Sequence, residues 1–118
     1  MLLAGLSEEQ LDHYFRTYLR EQMTPFTVTD EAKLRALIDE VREQGWALND
    51  RELDPGTRSI AAPVVSPSGR QLNAVNVSVP TSRVLVVQLI HKILPELLKT
   101  TAKISSDFAL ISNRSRFE

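Results

Sequence analysis

Small polar side chains alternate with valines along one short segment of this chain, Gln71–Val79. Successive side chains of a β-strand point to opposite faces, so Ala74, Asn76 and Ser78 share one face and the valines share the other. Amide and hydroxyl groups in such a row can hydrogen-bond a ligand, or they can face water. The alternation alone does not distinguish between two interpretations of this face, a ligand-binding wall and a solvated sheet face.

Two neighbouring side chains on the preceding strand-like segment could add to this chemistry. A hairpin would bring the hydroxyl of Ser59 beside Asn76 and Ser78. The guanidinium of Arg58 could bind a ligand carboxylate through two hydrogen bonds, or it could form an ion pair with an acidic residue of the nearby turn, Glu52 or Asp54. The structural ion pair is the commoner of these two roles.

Catalytic chemistry has little support in the sequence. No nucleophile elbow and no glycine-rich phosphate loop occurs, and the chain has no cysteine. His13 and His91 lie in predicted helices without a second ligand at metal-binding spacing, so we expect them to be ordinary surface or interface histidines. We predict no enzyme activity, no metal and no cofactor.

Composition narrows the class of protein further. The 118 residues are 42% hydrophobic, which suits one globular domain with a modest core. The 14 basic and 15 acidic residues give a net charge of -1, so no general attraction to nucleic acid or anionic lipid is expected. No apolar run is long enough to span a bilayer, and we expect a cytoplasmic protein that binds no membrane.

Capping signals define two amphipathic helices. The Ser7-Glu8-Glu9-Gln10 pattern is a capping box, so a helix should begin at Ser7, and Pro25 requires it to end before that point. Thr29 or Asp30 caps a second helix, and Gly45 is placed as its C-terminal stop.

Strand-like periodicity follows the second helix. The segments Trp46–Asn49, Arg58–Val65 and Gln71–Val79 are predicted strands, and the short turn at Ser66–Gly69 makes the last two an antiparallel hairpin. Pro80 should end the third strand.

A long helix completes the predicted order. It should be capped by Ser82 and kinked by Pro95, which lacks an amide proton. The fold class is therefore α+β, in the order helix, helix, three strands of one antiparallel sheet, long helix. Two of the three strands would be sheet edges.

Three segments together resemble the effector-binding domain of the IclR family of regulators. They read GWALNDREL at Gly45–Leu53, GTRSIAAPV at Gly56–Val64 and NAVNVS at Asn73–Ser78. The resemblance extends in weaker form over nearly the whole chain. It is closest to the subgroup that controls protocatechuate, 4-hydroxybenzoate and β-ketoadipate catabolism.

The resemblance implies a GAF-like α+β domain that binds a small carboxylate or hydroxyaromatic acid. By position in the family's motifs, the pocket residues would be Asn49, Ser59, Asn76 and Ser78, with Arg58 as candidate counter-charge. Some family members have an acidic residue in place of Asn49 and a serine in place of Asn76. The ligand's polar pattern therefore cannot be copied from them.

The resemblance also implies a larger protein. Residues 1–112 would be a partial effector-binding domain and residues 113–118 a polar tail. A homodimer or homotetramer would contact DNA only through an N-terminal helix-turn-helix domain that this chain lacks, so we hypothesise a fragment or truncated reading frame. The sequence leaves two functions open: a ligand-sensing domain of a regulator of aromatic-acid catabolism, or a ligand-free homo-oligomerisation domain.

Overall fold

The computed structural model describes residues 1–117, and the side chains of residues 1–111. A 3₁₀ turn at Leu2–Gly5 precedes the helices and strands. These are α1 (Glu8–Thr17), α2 (Glu31–Gln44), β1 (Ala47–Asp50), β2 (Thr57–Val65), β3 (Gln71–Pro80), α3 (Val86–Gln88) and α4 (Leu94–Phe117), with one π-helical turn at Leu89–Ile93. This order confirms the predicted α+β class. The side chains of the predicted tail, residues 113–118, lie outside the described residues.

The first helix begins where the capping box predicts, but it ends early. The Gln10 amide donates to Ser7 Oγ at 3.2 Å, and the Ser7 amide donates to Gln10 Oε1 at 2.9 Å. The helix ends at Thr17 and not near Pro25. Arg20 explains the difference, because its Nε donates to the carbonyl of Thr29 at 2.7 Å and thereby holds the chain in a non-helical path.

The second helix has the predicted ends. Asp30, and not Thr29, is the cap, since its Oδ2 accepts from the Lys33 amide at 2.9 Å. Gly45 adopts the left-handed conformation, with φ of 83°, and its amide bonds to the Val41 carbonyl at 2.8 Å. A glycine takes this conformation without steric cost, so the chain can leave the helix directly into β1.

The three strands form one antiparallel sheet in the order β1, β2, β3. The predicted hairpin of β2 and β3 is confirmed, and Pro80 is the last residue of β3. One irregularity shifts the register between Val64 and Val65. Both outer strands have an unpaired edge within the part of the chain that is described.

The main hydrophobic core lies between one sheet face and the C-terminal helical segment. Ile60 and Ala62 of β2 are completely buried there. Residues Leu89, Leu94 and Leu97 of the helical segment complete the buried cluster, and the three valines of β3 pack against it. The valine face predicted from alternation is therefore a core face. A second cluster, formed by Leu11, Phe15 and Ile38, joins α1 to α2.

The C-terminal helical segment differs from the prediction at its start. Ser82 does not cap it, because the Pro80 carbonyl accepts the amides of Arg83 and Val84 in an intervening turn. The segment begins after Leu85, whose amide donates to Gln88 Oε1 at 2.8 Å. The chain stays helical through Pro95, and the widened π-helical turn ends two residues before it, at Ile93.

No helix in the described part of the chain is both long enough and apolar enough to cross a membrane.

Candidate functional site

The polar side chains predicted from alternation lie on one sheet face. The strand register places Asn49 opposite Ser59 and Ser59 opposite Ser78, so one row runs across all three strands. Asn76 lies in the next row on the same face, opposite Ala61. This is the face that the C-terminal helical segment leaves free.

A half-open cleft of about 370 Å³ separates this face from α2. Its polar side chains are those of Asn49, Glu52, Ser59 and Asn76. The remaining lining is apolar and comes from the N-terminal turn, α2 and the sheet: Met1, Leu3, Ala4, Leu34, Leu37, Ile38, Val41, Ala47, Leu48 and Ala61. Few polar groups in a mostly apolar concavity are typical of small-molecule sites. The geometry therefore favours a ligand-binding wall over a fully solvated face.

The polar groups of the cleft are already partly connected. Asn49 Oδ1 accepts the Glu52 amide at 3.2 Å, so the Asn49 side-chain NH₂ group is the part left to meet a ligand. Asn76 Nδ2 donates to Ser78 Oγ at 3.0 Å. Ser78 is exposed and does not line the cleft, so its contribution would pass through Asn76.

Arg58 does not join this group. Its guanidinium lies on the core face, where Nε contacts Asp50 Oδ1 at 3.0 Å and Nη1 donates to the Val84 carbonyl at 2.7 Å. The side chain is 10% exposed. This position corrects the prediction that Arg58 is the counter-charge of a ligand carboxylate. The ion-pair interpretation fits, although the partner is Asp50 and not Glu52 or Asp54.

Asp50 receives two guanidinium groups. Burial raises the pKa of this carboxyl, but hydrogen bonds and charges from Arg58 and Arg51 outweigh it and hold the pKa below the ordinary value of 3.8. Asp50 therefore remains ionised and fastens the end of β1 to β2.

Glu52 is the cleft residue that the sequence did not indicate as a ligand contact. It lies in the loop after β1, where no strand or helix period fixes a side chain's direction. Its carboxylate Oε1 accepts the Val28 amide at 3.1 Å, and its backbone carbonyl accepts a hydrogen bond from Thr27 Oγ1. A tertiary contact between two loops thus fixes the position of this residue beside the cleft.

The described residues offer no metal site, because no group of three or more His, Asp or Glu side chains converges among them. His13 and His91 are exposed on helices. Met1 also lines the cleft, and its carbonyl accepts a hydrogen bond from Gln71 Nε2 at 3.4 Å. Burial lowers the pKa of its amino group.

The chain was compared with known protein families and proteins. Residues 1–106 match the family described as bacterial transcriptional regulator IclR, C-terminal. The Pca regulon regulatory protein of Pseudomonas putida is 40% identical over 98 residues, which are 83% of this chain and 34% of that protein. The chain thus spans about a third of the length of this curated relative.

Two solved structures share the fold. A transcriptional regulator from Rhodococcus sp. RHA1 superposes with a TM-score of 0.90 at 37% identity, over 93% of this chain and 45% of that one. A double mutant of the PobR inducer-binding domain from Acinetobacter, in complex with 3-hydroxybenzoic acid, gives a TM-score of 0.84 at 32% identity, over 88% of this chain and 59% of that one.

These relatives are regulators and not enzymes, as the sequence predicted. The extent of the family match, 106 of 118 residues, decides the assignment. The chain belongs to the IclR family of bacterial transcriptional regulators and corresponds to their C-terminal effector-binding domain.

Proposed function

We propose that this chain binds a small organic acid in the cleft between the sheet and α2, as the sensing part of a regulator of aromatic-acid catabolism. The observation that carries the proposal is that Asn49, Ser59 and Asn76 of one sheet face line a half-open cleft whose remaining lining is mostly apolar. The relatives named for the Pca regulon and for PobR support aromatic acids as the ligand class.

Each polar group then has a defined part. The Asn49 side-chain NH₂ group and the Ser59 hydroxyl donate to the acid from neighbouring strands, since the two residues are register partners. Asn76 hydrogen-bonds the ligand from the next row, with its side chain steadied by Ser78. The apolar residues of α2 cover the ring or chain of the ligand.

Binding would be measured by isothermal titration with 4-hydroxybenzoate, protocatechuate and β-ketoadipate. We expect at least one of the three to bind, and Asn76→Leu to weaken that binding about tenfold through loss of a hydrogen bond. Asn73→Leu is the matched control, because Asn73 lies on the same strand, is exposed and points to the other face. A folded sample that binds none of the three acids would contradict the proposal.

A ligand-free association domain is the second candidate. It is favoured by the unpaired edge of β3 and by exposed apolar side chains on α4, including Ile104 at 40% and Phe108 at 44% exposure. Light scattering of the native chain and of Asn76→Leu separates the two functions. An oligomer of unchanged size, together with no response to any acid, would favour association. A homodimer or homotetramer and a cytoplasmic location remain predictions.

In a longer regulator, ligand binding would bias the arrangement of two protomers and thereby the spacing of their DNA-binding domains. DNA contact would depend on an N-terminal helix-turn-helix domain.

A further inference from the structure

The outer edge of β3 is long and carries no charge. The strand spans Gln71–Pro80, and no other strand of the described chain pairs with this edge. Its sequence contains no charged residue, its one proline is the last residue, and the register irregularity lies at its first residue. Natural sheets commonly protect such an edge with charges, prolines or bulges, because a row of unpaired amide and carbonyl groups accepts another strand. The outer edge of β3 lacks these protections over most of its length.

Backbone hydrogen bonds show which residues of β3 face outward. The Thr81 amide donates to the Gly56 carbonyl at 3.0 Å, in line with the register that places Thr57 opposite Pro80. In an antiparallel pair, positions that bond to the neighbouring strand alternate with positions whose amide and carbonyl point away from it. Counted back from Thr81 through the regular register of residues 73–80, the odd-numbered residues therefore bond to β2. The amides and carbonyls that point away from β2 are those of Ala74, Asn76 and Ser78.

We propose that two copies of this chain pair through this edge, as antiparallel neighbours related by a twofold axis at Asn76. Ala74 then lies opposite Ser78 of the second copy, and Asn76 lies opposite the same residue of the second copy. Each of these pairs exchanges two backbone hydrogen bonds, because both members have their amide and carbonyl directed outward. The two three-stranded sheets become one continuous sheet.

The side chains of β3 fit the same register. On the core face, Val75 lies opposite Val77 of the second copy, in a position without backbone hydrogen bonds, where facing β-branched side chains stabilise a sheet. Both valines are only half-buried in the single chain, whereas Ile60 of the neighbouring strand is completely buried. The second copy covers this remaining apolar surface. A slip by one residue would turn polar side chains toward the core face, so the alternation opposes other registers.

The size and symmetry of this edge suit a second copy as the partner. A strand of ten residues is about 34 Å long, and a sheet with one helical layer is roughly 20 Å thick, so each copy buries on the order of 700 Å². Stable interfaces bury about 800 Å² per partner. An uncharged edge does not repel its own copy, and a twofold axis closes the assembly at two chains. The other sheet edge, β1, has only four residues.

The inference rests on the proposed association of chains and assigns it a surface. Ligand binding in the cleft can hold with or without this interface. A chain that binds none of the organic acids would contradict the proposed ligand-sensing function and leave the interface in place.

The first test measures mass by light scattering after size-exclusion chromatography, over a series of protein concentrations. We expect the native chain to be a dimer that dissociates on dilution. Ala74→Pro removes one outward amide and no hydrogen bond to β2, so we expect it to weaken dimerisation at least about tenfold. Ala74→Ser keeps the amide and is the matched control, which should dimerise like the native chain. A native chain that is monomeric at every concentration would overturn the proposal.

The second test reads the register and does not depend on how well Ala74→Pro folds. Because the chain has no cysteine, a single introduced cysteine can be followed without interference. Asn76→Cys places the two cysteines opposite each other on the axis, with Cα atoms about 5.5 Å apart, a separation that a disulfide spans. We expect mild oxidation to give a covalent dimer.

Asn73→Cys is the matched control for the crosslink. Asn73 is exposed on the same strand, but the proposed register places the two Asn73 residues about 20 Å from each other along the strands. We expect little covalent dimer from this variant. An oligomer in which Asn76→Cys crosslinks no faster than Asn73→Cys would show that the chains associate through another surface, and it would overturn this interface alone.

Discussion

Asp50 connects elements that the backbone alone would leave loosely attached. Its Oδ1 meets the Nε atoms of Arg58 at 3.0 Å and Arg51 at 3.1 Å. Arg58 also holds the Val84 carbonyl, just before the C-terminal helical segment begins. One carboxylate therefore joins the short edge strand β1 to the central strand and, through Arg58, to the start of that segment. An arginine in this position needs its anionic partner, because a buried guanidinium without one is costly.

Asp50→Asn tests this connection. We expect it to lower the free energy of unfolding at pH 7 by about 2 kcal/mol, since Arg58 loses its anionic partner. Because the pKa of Asp50 is lowered in the folded protein, its contribution is complete above the ordinary value of 3.8 and is lost as the pH falls toward the lowered pKa. Urea unfolding between pH 7 and pH 3 measures both effects.

Asp39→Asn is the control, because the Asp39 side chain is 76% exposed and lies 3.7 Å from its arginine partner. It should change the unfolding free energy by less than about 0.5 kcal/mol. If Asp50→Asn and the native chain lose stability in parallel on acidification, Asp50 does not have the proposed role.

Side-chain direction could be predicted from the sequence wherever a strand period applied. Asn76 and Ser78 share a face as predicted, and Ser59 is directly opposite Ser78. Arg58 is next to Ser59, so alternation alone already places it on the other face. Its partner Asp50 could not be predicted, because that pairing depends on the register of β1 against β2. Glu52 was missed because loop geometry follows no period.

Helix ends that are fixed by hydrogen bonds within one turn of chain could be predicted from the sequence. Helix ends that are fixed by residues distant in the sequence could not. Ser7, Asp30 and Gly45 act within their own turn of chain, and all three behave as predicted. The early end of α1 depends on Arg20 reaching the Thr29 carbonyl. The late start of the C-terminal helical segment depends on the turn at Pro80, and no local capping pattern reveals either contact.

Ser105 of α4 joins this helix to β2 of the sheet. Ser105 Oγ accepts the Val65 amide at 3.0 Å and donates to the Thr101 carbonyl at 2.7 Å. Val65 lies at the register shift of β2, where the regular strand ladder is interrupted. We expect Ser105→Ala to lower the free energy of unfolding by about 1–2 kcal/mol, because the Val65 amide loses its partner. Urea denaturation provides the measurement.

The neighbouring residue supplies the control for this prediction. Ser106 is exposed on the same helix, and Ser106→Ala removes the same hydroxyl without touching the sheet. Its effect should stay within about 0.5 kcal/mol. Equal losses in the two variants would show that the contact of Ser105 to β2 is not responsible, since helix propensity alone would favour alanine in both.

The whole molecule consists of two packed parts with the cleft between them. One part is the cluster that joins α1 and α2, and the other is the sheet with the C-terminal helical segment. The sequence predicted the members of both parts but not the space between them. The apolar stripe of α2 has the same period whether it packs into a core or lines a cavity, so only the three-dimensional arrangement distinguishes these outcomes.

The loop before α2 fastens these two parts together beside the cleft. Thr24 is 4% exposed, and its Oγ1 donates to the Arg51 carbonyl at 2.7 Å. The Arg51 guanidinium lies 3.9 Å from the ring centroid of Phe26, which adds a cation–π contact. Since Glu52 follows Arg51 directly and Asn49 lies two residues before it, this fastening also fixes the position of two residues that line the cleft.

Thr24→Val tests whether this fastening controls the cleft. The substitution keeps the shape of the side chain but leaves the Arg51 carbonyl and the Phe26 amide without their partner hydroxyl. We expect faster amide hydrogen exchange at residues 24–28 and 49–53, and about tenfold weaker binding of the best-bound acid, because Asn49 and Glu52 are no longer held in place beside the cleft. Thr29→Val, in the same loop, is the control, because the structure gives Thr29 a backbone hydrogen bond only. If exchange at residues 49–53 is unchanged in Thr24→Val while binding weakens, the loop acts on the ligand by a route other than Arg51.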